Sequence, residues 1–160
     1  MALEQQQDYI NTTRYTSNVS VGGPGGNPYS LLATWPKTVK RITVYRDQKR
    51  IRGIELERHD SAVLHIGVYE DKNPITYTFQ ENEQLTRILL YSSDYDNGRF
   101  AGFKLRTTRQ QSVEAFAYGF TPSSSNEVEI PVGNGKWNGI FGKGGGDIDS
   151  LGFAMLTGNT

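Results

Sequence analysis

The feature that most limits how this chain can fold is an apolar beat of two. Ile42 and Val44, Ile54 and Leu56, Leu64, Ile66 and Val68, then Ile75, Tyr77 and Phe79 fall at alternate positions, the period of a strand with one buried face. The beat returns in Phe103 and Leu105, in Val113, Ala115 and Ala117, in Val128 and Ile130, and in Leu151, Phe153 and Met155. No window carries a sustained helical stripe. Only Glu81 to Leu90 is ambiguous, and there β-branched neighbours and short length favour a strand. Turn-forming clusters interrupt the beat at Asp47-Gln48, His59-Asp60-Ser61, Asp71 to Pro74, Asp94 to Gly98, Arg109-Gln110-Gln111, Thr121 to Asn126 and Gly133-Asn134-Gly135. Their spacing of about 8–12 residues divides the chain into roughly eleven or twelve strands, as in an all-β sandwich, barrel or prism.

A chain of 160 residues closes one hydrophobic core and is short for two. Lys plus Arg and Asp plus Glu both number 17, so no net field favours a polyanion, and nucleic acid is not an expected partner. Without cysteine there is no disulfide scaffold, thiolate metal cluster or cysteine nucleophile. Met1 to Ser20 is polar and has no apolar run of signal-peptide or membrane-span length. Cytoplasmic residence, or export by an unconventional route, is therefore expected, without membrane insertion.

Eighteen glycines are more than sheet interiors favour, and they concentrate in Gly22 to Gly26 and Gly139 to Gly146. Glycine admits positive φ and lets a ligand approach main-chain N–H groups with no Cβ in the way. An isolated glycine cluster more often marks a tight hairpin or bulge. The second cluster, however, runs through Gly144-Gly145-Gly146-Asp147-Ile148-Asp149, which puts a carboxylate where a bare backbone loop meets a strand. An ionised carboxylate accepts two hydroxyl protons while loop amides donate, the pairing that vicinal sugar hydroxyls require.

Gly145 to Asp149, continued by Ser150-Leu151-Gly152, resembles the Gly-x-x-x-Asp loop of jacalin-related lectins. Gly22-Gly23-Pro24-Gly25-Gly26 resembles the family's first glycine loop, Val39 to Tyr45 and Ile51 to Glu57 its early strand pair, and Arg99 to Thr108 the strand after its recognition loop. The likeness spans about residues 14–157, with residues 1–13 left as a polar extension of a domain covering 14–160. It implies a type I β-prism of three four-stranded Greek-key sheets and a sugar site at one end. It further implies that Asp149 accepts from two sugar hydroxyls, that the amides of Gly146 and Asp147 donate, and that Gly25 or Gly26 completes the set. Asn97 and its neighbours would form the recognition loop, with Tyr95 the best aromatic candidate for ligand contact. The chain runs on through Gly26 into Asn27-Pro28-Tyr29, as in the uncleaved, mannose- and glucose-preferring branch.

Where many members carry an aromatic inside the Gly-x-x-x-Asp loop, this chain has Gly146 and Asp147, so weaker monosaccharide binding is expected. One site per chain is expected as well, because Ser30 replaces an acid and Asp71-Lys72-Asn73-Pro74 lacks glycine. A single weak site gains from multivalency, which makes a homo-oligomer useful. The alternative is a prism that docks or targets a larger assembly to glycoconjugates without binding free sugar. No cofactor or enzymatic activity is expected. Asp147-x-Asp149 lacks the further oxygen ligands of a metal site. As a glycosidase pair the two acids would stand roughly 6–7 Å apart by strand rise, but no flanking aromatic cleft is evident. Gly142-Lys143-Gly144 fails as a phosphate loop, having Gly where Ser or Thr belongs. His59 and His65 read as a turn residue and a sheet-face residue, and Trp35 and Trp137 as either core or sugar platforms.

Overall fold

The computed structural model describes residues 15–16, 19–33, 37–59, 62–94 and 98–157. Across them run β1 (Val21–Gly22), β2 (Asn27–Leu32), β3 (Val39–Arg46), β4 (Ile51–Arg58), β5 (Val63–Gly67), β6 (Ile75–Thr78), β7 (Leu85–Ser92), β8 (Phe100–Thr107), β9 (Ser112–Phe116), β10 (Glu127–Ile130), β11 (Trp137–Gly144) and β12 (Ile148–Met155). They pair into three four-stranded sheets, ordered β1-β12-β11-β2, β10-β7-β8-β9 and β5-β4-β3-β6. The all-β prism expected from the sequence is the fold observed.

Each sheet is the same Greek key. In the third, hairpins join β3, β4 and β5, and β6 returns beside β3. In the second, β7, β8 and β9 are followed by β10 beside β7. The first closes the chain on itself, since β11 and β12 pair with β2 and β1 from the beginning. Even the irregularities repeat. The central hairpins shift register at Val39/Arg41 and Tyr45/Arg46, at Leu85/Arg87 and Tyr91/Ser92, and at Trp137/Gly139 and Lys143/Gly144. A bulge increases local twist, and six at equivalent places curve the three sheets alike around one core.

That core is where the two-residue beat leads. Ile42, Val44, Ile54 and Leu56 face inward from the third sheet, Ile88, Leu90, Phe103 and Leu105 from the second, and Ile140, Leu151 and Phe153 from the first. Burying each such side chain contributes about 1.5–3 kcal/mol before conformational entropy is subtracted. Trp137 belongs to this core. It is 3% exposed, stacks on Phe153 at 4.7 Å and 12° and donates from Nε1 to the Gly139 carbonyl at 2.7 Å, so it is no sugar platform. Trp35 lies outside the described residues. Phe141, Ala154 and Leu156 form a second cluster on the outer face of the first sheet with Tyr15, which bridges to Leu156.

Two sequence expectations shift. Residues 81–84 form a turn before β7, with Asn82 at φ 64, because four polar residues there have no face to bury. Val128 shares a face with buried Ile130 and pairs with core-facing Leu90, yet it is 41% exposed, because β10 is an edge strand.

Candidate functional site

The turns of β3–β4, β7–β8 and β11–β12 and the loops β1–β2, β5–β6 and β9–β10 all lie at one end of the prism, because strand direction alternates alike in every sheet. Both glycine clusters are therefore at that end. Residues 145–147 form the bend between β11 and β12, and Asp149 is the second residue of β12. Gly23 N donates to the Asp149 carbonyl at 2.9 Å, which docks the first glycine loop against the second. A Cβ on Gly25 would stand 3.3 Å from Asp149 Oδ1, and one on Gly26 would collide with Asp149 Oδ2 and with Gly144 N at 2.8 Å. Gly26 also has φ +81, a left-handed conformation that side chains resist. Gly145 and Gly146 face open space.

The structure thus brings Gly25, Gly26, Gly146, Asp147 and Asp149 together. Among the described residues, the main-chain N–H groups of Gly25, Gly26, Gly146 and Asp147 meet no acceptor; Gly25 and Gly26 lie against the Asp149 carboxylate, and Gly146 and Asp147 are in the bend that leads to it. Beneath them Tyr29 is buried and its hydroxyl donates to the Ser150 carbonyl at 2.9 Å. Burial, and after it the Asp149 charge, hold this phenol far above its ordinary range. Tyr95 and Asn97 fall outside the described residues. Tyr91 and Phe100, which flank their loop, are each 1% exposed, Phe100 in the core and Tyr91 under the rings of Phe116 and Phe120.

Sequence reading missed the arginines. Arg99, at the entry to β8, donates from Nη1 to Asp149 Oδ1 at 2.5 Å and stands 3.7 Å from Asp147 Oδ2. Arg50 Nη1 donates to Asp147 Oδ2 at 3.3 Å. Arg52 Nε lies 2.5 Å from Asp147 Oδ1 without the alignment of a hydrogen bond, which makes it a charge contact, and its Nη1 donates to Asp47 Oδ2 at 3.3 Å. The Asp147 side chain thus takes part in the network, where the sequence assigned a role to its amide alone. The network spans all three sheets, since Arg50 and Arg52 come from the β3–β4 hairpin, Arg99 from the second sheet and both aspartates from the first. Lys143 Nζ adds a bond to the Pro24 carbonyl at 2.9 Å.

A cavity of about 270 Å³ opens at the opposite end, over Val39, Phe79, Leu85 and Trp137, away from this chemistry. His59 ends a strand in a turn and His65 stands on a sheet face. Among the described residues no group of three or more His, Cys, Asp or Glu is placed to hold a metal ion.

The sequence profile of the jacalin-like lectin domain matches residues 19–154. The chain belongs to that family. Among solved structures, this jacalin-like domain is similar to lamprey immune protein, at 26% identity and TM-score 0.79 over 87% of this chain and 44% of that one. It thus spans less than half the length of that relative. Malaysian banana lectin, at 22% identity, aligns over 87% of this chain and 95% of its own with TM-score 0.70. A mannose binding jacalin related lectin from Ananas comosus, at 16% identity, aligns over 87% and 96% with TM-score 0.68. These last two likenesses establish the shared fold. A search of curated proteins finds no significant match. The jacalin-like domain described here keeps its β1–β2 connection unbroken from Gly22 through Gly26 into Asn27.

Proposed function

We propose that this jacalin-like lectin domain binds mannose- or glucose-type glycans at the end where its two glycine loops meet. The observation that carries the reading is the Asp149 carboxylate lying against Gly25 and Gly26, with unengaged main-chain donors in both glycine loops. A carboxylate has about four lone-pair positions, so the bond from Arg99 leaves room for two sugar hydroxyls. The amides of Gly146 and Asp147 donate to the sugar oxygens, and Gly25 or Gly26 completes the ring of contacts. Tyr95 and Asn97 belong to the recognition loop of this reading. Both aspartates are ion-paired with arginines, an arrangement for accepting hydrogen bonds, and the activity is binding without catalysis or cofactor.

Mannose binding by the Ananas comosus lectin supports the sugar class, as does the unbroken first loop. The open surface over Gly145 and Gly146 offers little apolar contact, so monosaccharide affinity is low and a homo-oligomer raises avidity. One observation favours a second reading, a glycoconjugate-targeting module: the related lamprey chain is more than twice as long as its matching part.

A glycan array followed by calorimetry with methyl α-mannoside tests both readings. Asp149→Asn replaces an acceptor by a donor and removes the charge. Losing even one charge-assisted bond weakens binding by more than about tenfold. Unchanged affinity in this variant would refute the site. Binding of membrane glycoconjugates with no response to any free glycan would favour the targeting module.

A further inference from the structure

On the outer face of the third sheet, close to the same end, stands an uncovered group of aromatic rings. Tyr45 and Tyr69 have ring centroids 5.0 Å apart at 40°, and His65 meets Tyr69 edge-on at 5.0 Å. Tyr69 is 41% exposed. Register places Tyr45 opposite Gly53, and Gly53 opposite Gly67, so no side chains stand beside the ring on the next two strands. Glu55 lies between Thr43 and His65 in the same register. Burial, and then the Glu55 charge, raise both phenols above their ordinary value, which keeps them as donors.

The second sheet shows what a closed version looks like. Tyr91 precedes its bulge as Tyr45 does and stands opposite Gly102 as Tyr45 stands opposite Gly53. There Phe116 and Phe120 pack on the ring at 5.3 and 6.2 Å, Glu127 Oε2 accepts the hydroxyl at 2.5 Å, and Tyr91 is 1% exposed. The third sheet has the same platform without the cover. Its loop is nonetheless held firmly, because Asp71 accepts from Arg46 N at 2.8 Å and Asn73 N at 2.9 Å and from the Tyr118 hydroxyl.

The platform is continuous with the glycine-loop site. Arg52, whose guanidinium touches Asp147, accepts at its carbonyl from Val68 N at 2.9 Å, next to Tyr69. We propose that Tyr45, Tyr69, His65 and Glu55 form a second subsite that holds the inner, neutral hexose residues of an oligosaccharide whose end sits at Asp149. The rings stack on the apolar face of a pyranose, and the phenols, imidazole and carboxylate bond its hydroxyls. This inference rests on the glycan reading of the glycine-loop site.

The test is calorimetry on the full chain with methyl α-mannoside and with a high-mannose oligosaccharide. Tyr69→Ala should leave the monosaccharide affinity unchanged and weaken the oligosaccharide by about three- to tenfold. Tyr69→Phe should restore most of the difference. Asp149→Asn should weaken both ligands, so failure of the primary site is read separately. An oligosaccharide advantage that survives Tyr69→Ala overturns the subsite, and so does a concentration-dependent dimer that Tyr69→Ala dissolves. Absence of all glycan binding in the wild type overturns both proposals.

Discussion

Arg99 donates through Nη1 to Oδ1 of Asp149, so a residue of the second sheet orients the carboxylate of the first. The bond turns a strand-end side chain into a fixed acceptor, and its side chains are only 22% and 13% exposed, where solvent screens an ion pair less than at an open surface. Asp147 plays a different part. It gathers charge from Arg50, Arg52 and Arg99, and in doing so ties together three sheets that hold no disulfide.

The two aspartates should therefore fail in different ways. Asp147→Asn removes the charge shared by three guanidiniums and should lower stability by about 1–3 kcal/mol, with mannoside affinity held within about threefold because its amide remains. Arg99→Gln should cost about 1 kcal/mol of stability and weaken binding about three- to tenfold, since Asp149 loses its orientation. Urea unfolding alongside calorimetry separates these effects. Full affinity in Arg99→Gln would mean that Asp149 is held adequately by its own strand.

Glycines in the two loops are not equivalent. Gly26→Ala meets a positive φ as well as the Asp149 carboxylate and the Gly144 backbone, and should destabilise by about 1–3 kcal/mol with loss of binding. Gly146→Ala meets open space and should stay within about 0.5 kcal/mol of wild type. Thermal melts of the two variants provide the check, and equal melting temperatures would contradict the geometry.

Part of the response to acid and to alkali should run through Glu83. Burial works to raise its pKa, but bonds from the Thr107 and Tyr77 hydroxyls and from the Gln80 amide outweigh burial and bring it below the ordinary 4.5. Its contribution is thus full above pH 4.5 and is lost as pH falls through the lower folded-state value. Burial and the bond to Glu83 push Tyr77 up from 10.0 to about 12, so that contribution is full below pH 10 and is lost as pH rises toward 12. Glu83→Gln should cost about 1–3 kcal/mol near neutrality and make both limbs shallower, with Asp47 and Asp71 keeping part of the acid one. A pH series of unfolding midpoints that keeps its shape in this variant would exclude Glu83 as a cause.

Much of the architecture was legible residue by residue. Ile42, Val44, Leu151 and Phe153 announced their faces through a period of two, and Gly133-Asn134-Gly135 and Asp71 to Pro74 announced turns through local chemistry. The meeting of Gly25 and Gly26 with Asp149 was reached by resemblance, because no local signal joins residues so far apart in the chain. The arginines gave no sign. Arg50, Arg52 and Arg99 look like ordinary solvated charges, and Trp137 could have been core or platform until its stacking on Phe153 was seen.

What the sequence alone determined is therefore what acts over a few residues: the strands, their buried faces, their turns, and the two bare-backbone loops with a carboxylate beside one of them. Tertiary structure alone decided which charges meet. Closing three sheets around one core places Arg50, Arg99 and Asp147 within a few ångströms, and Coulomb attraction depends on that distance in space and takes no account of distance along the chain.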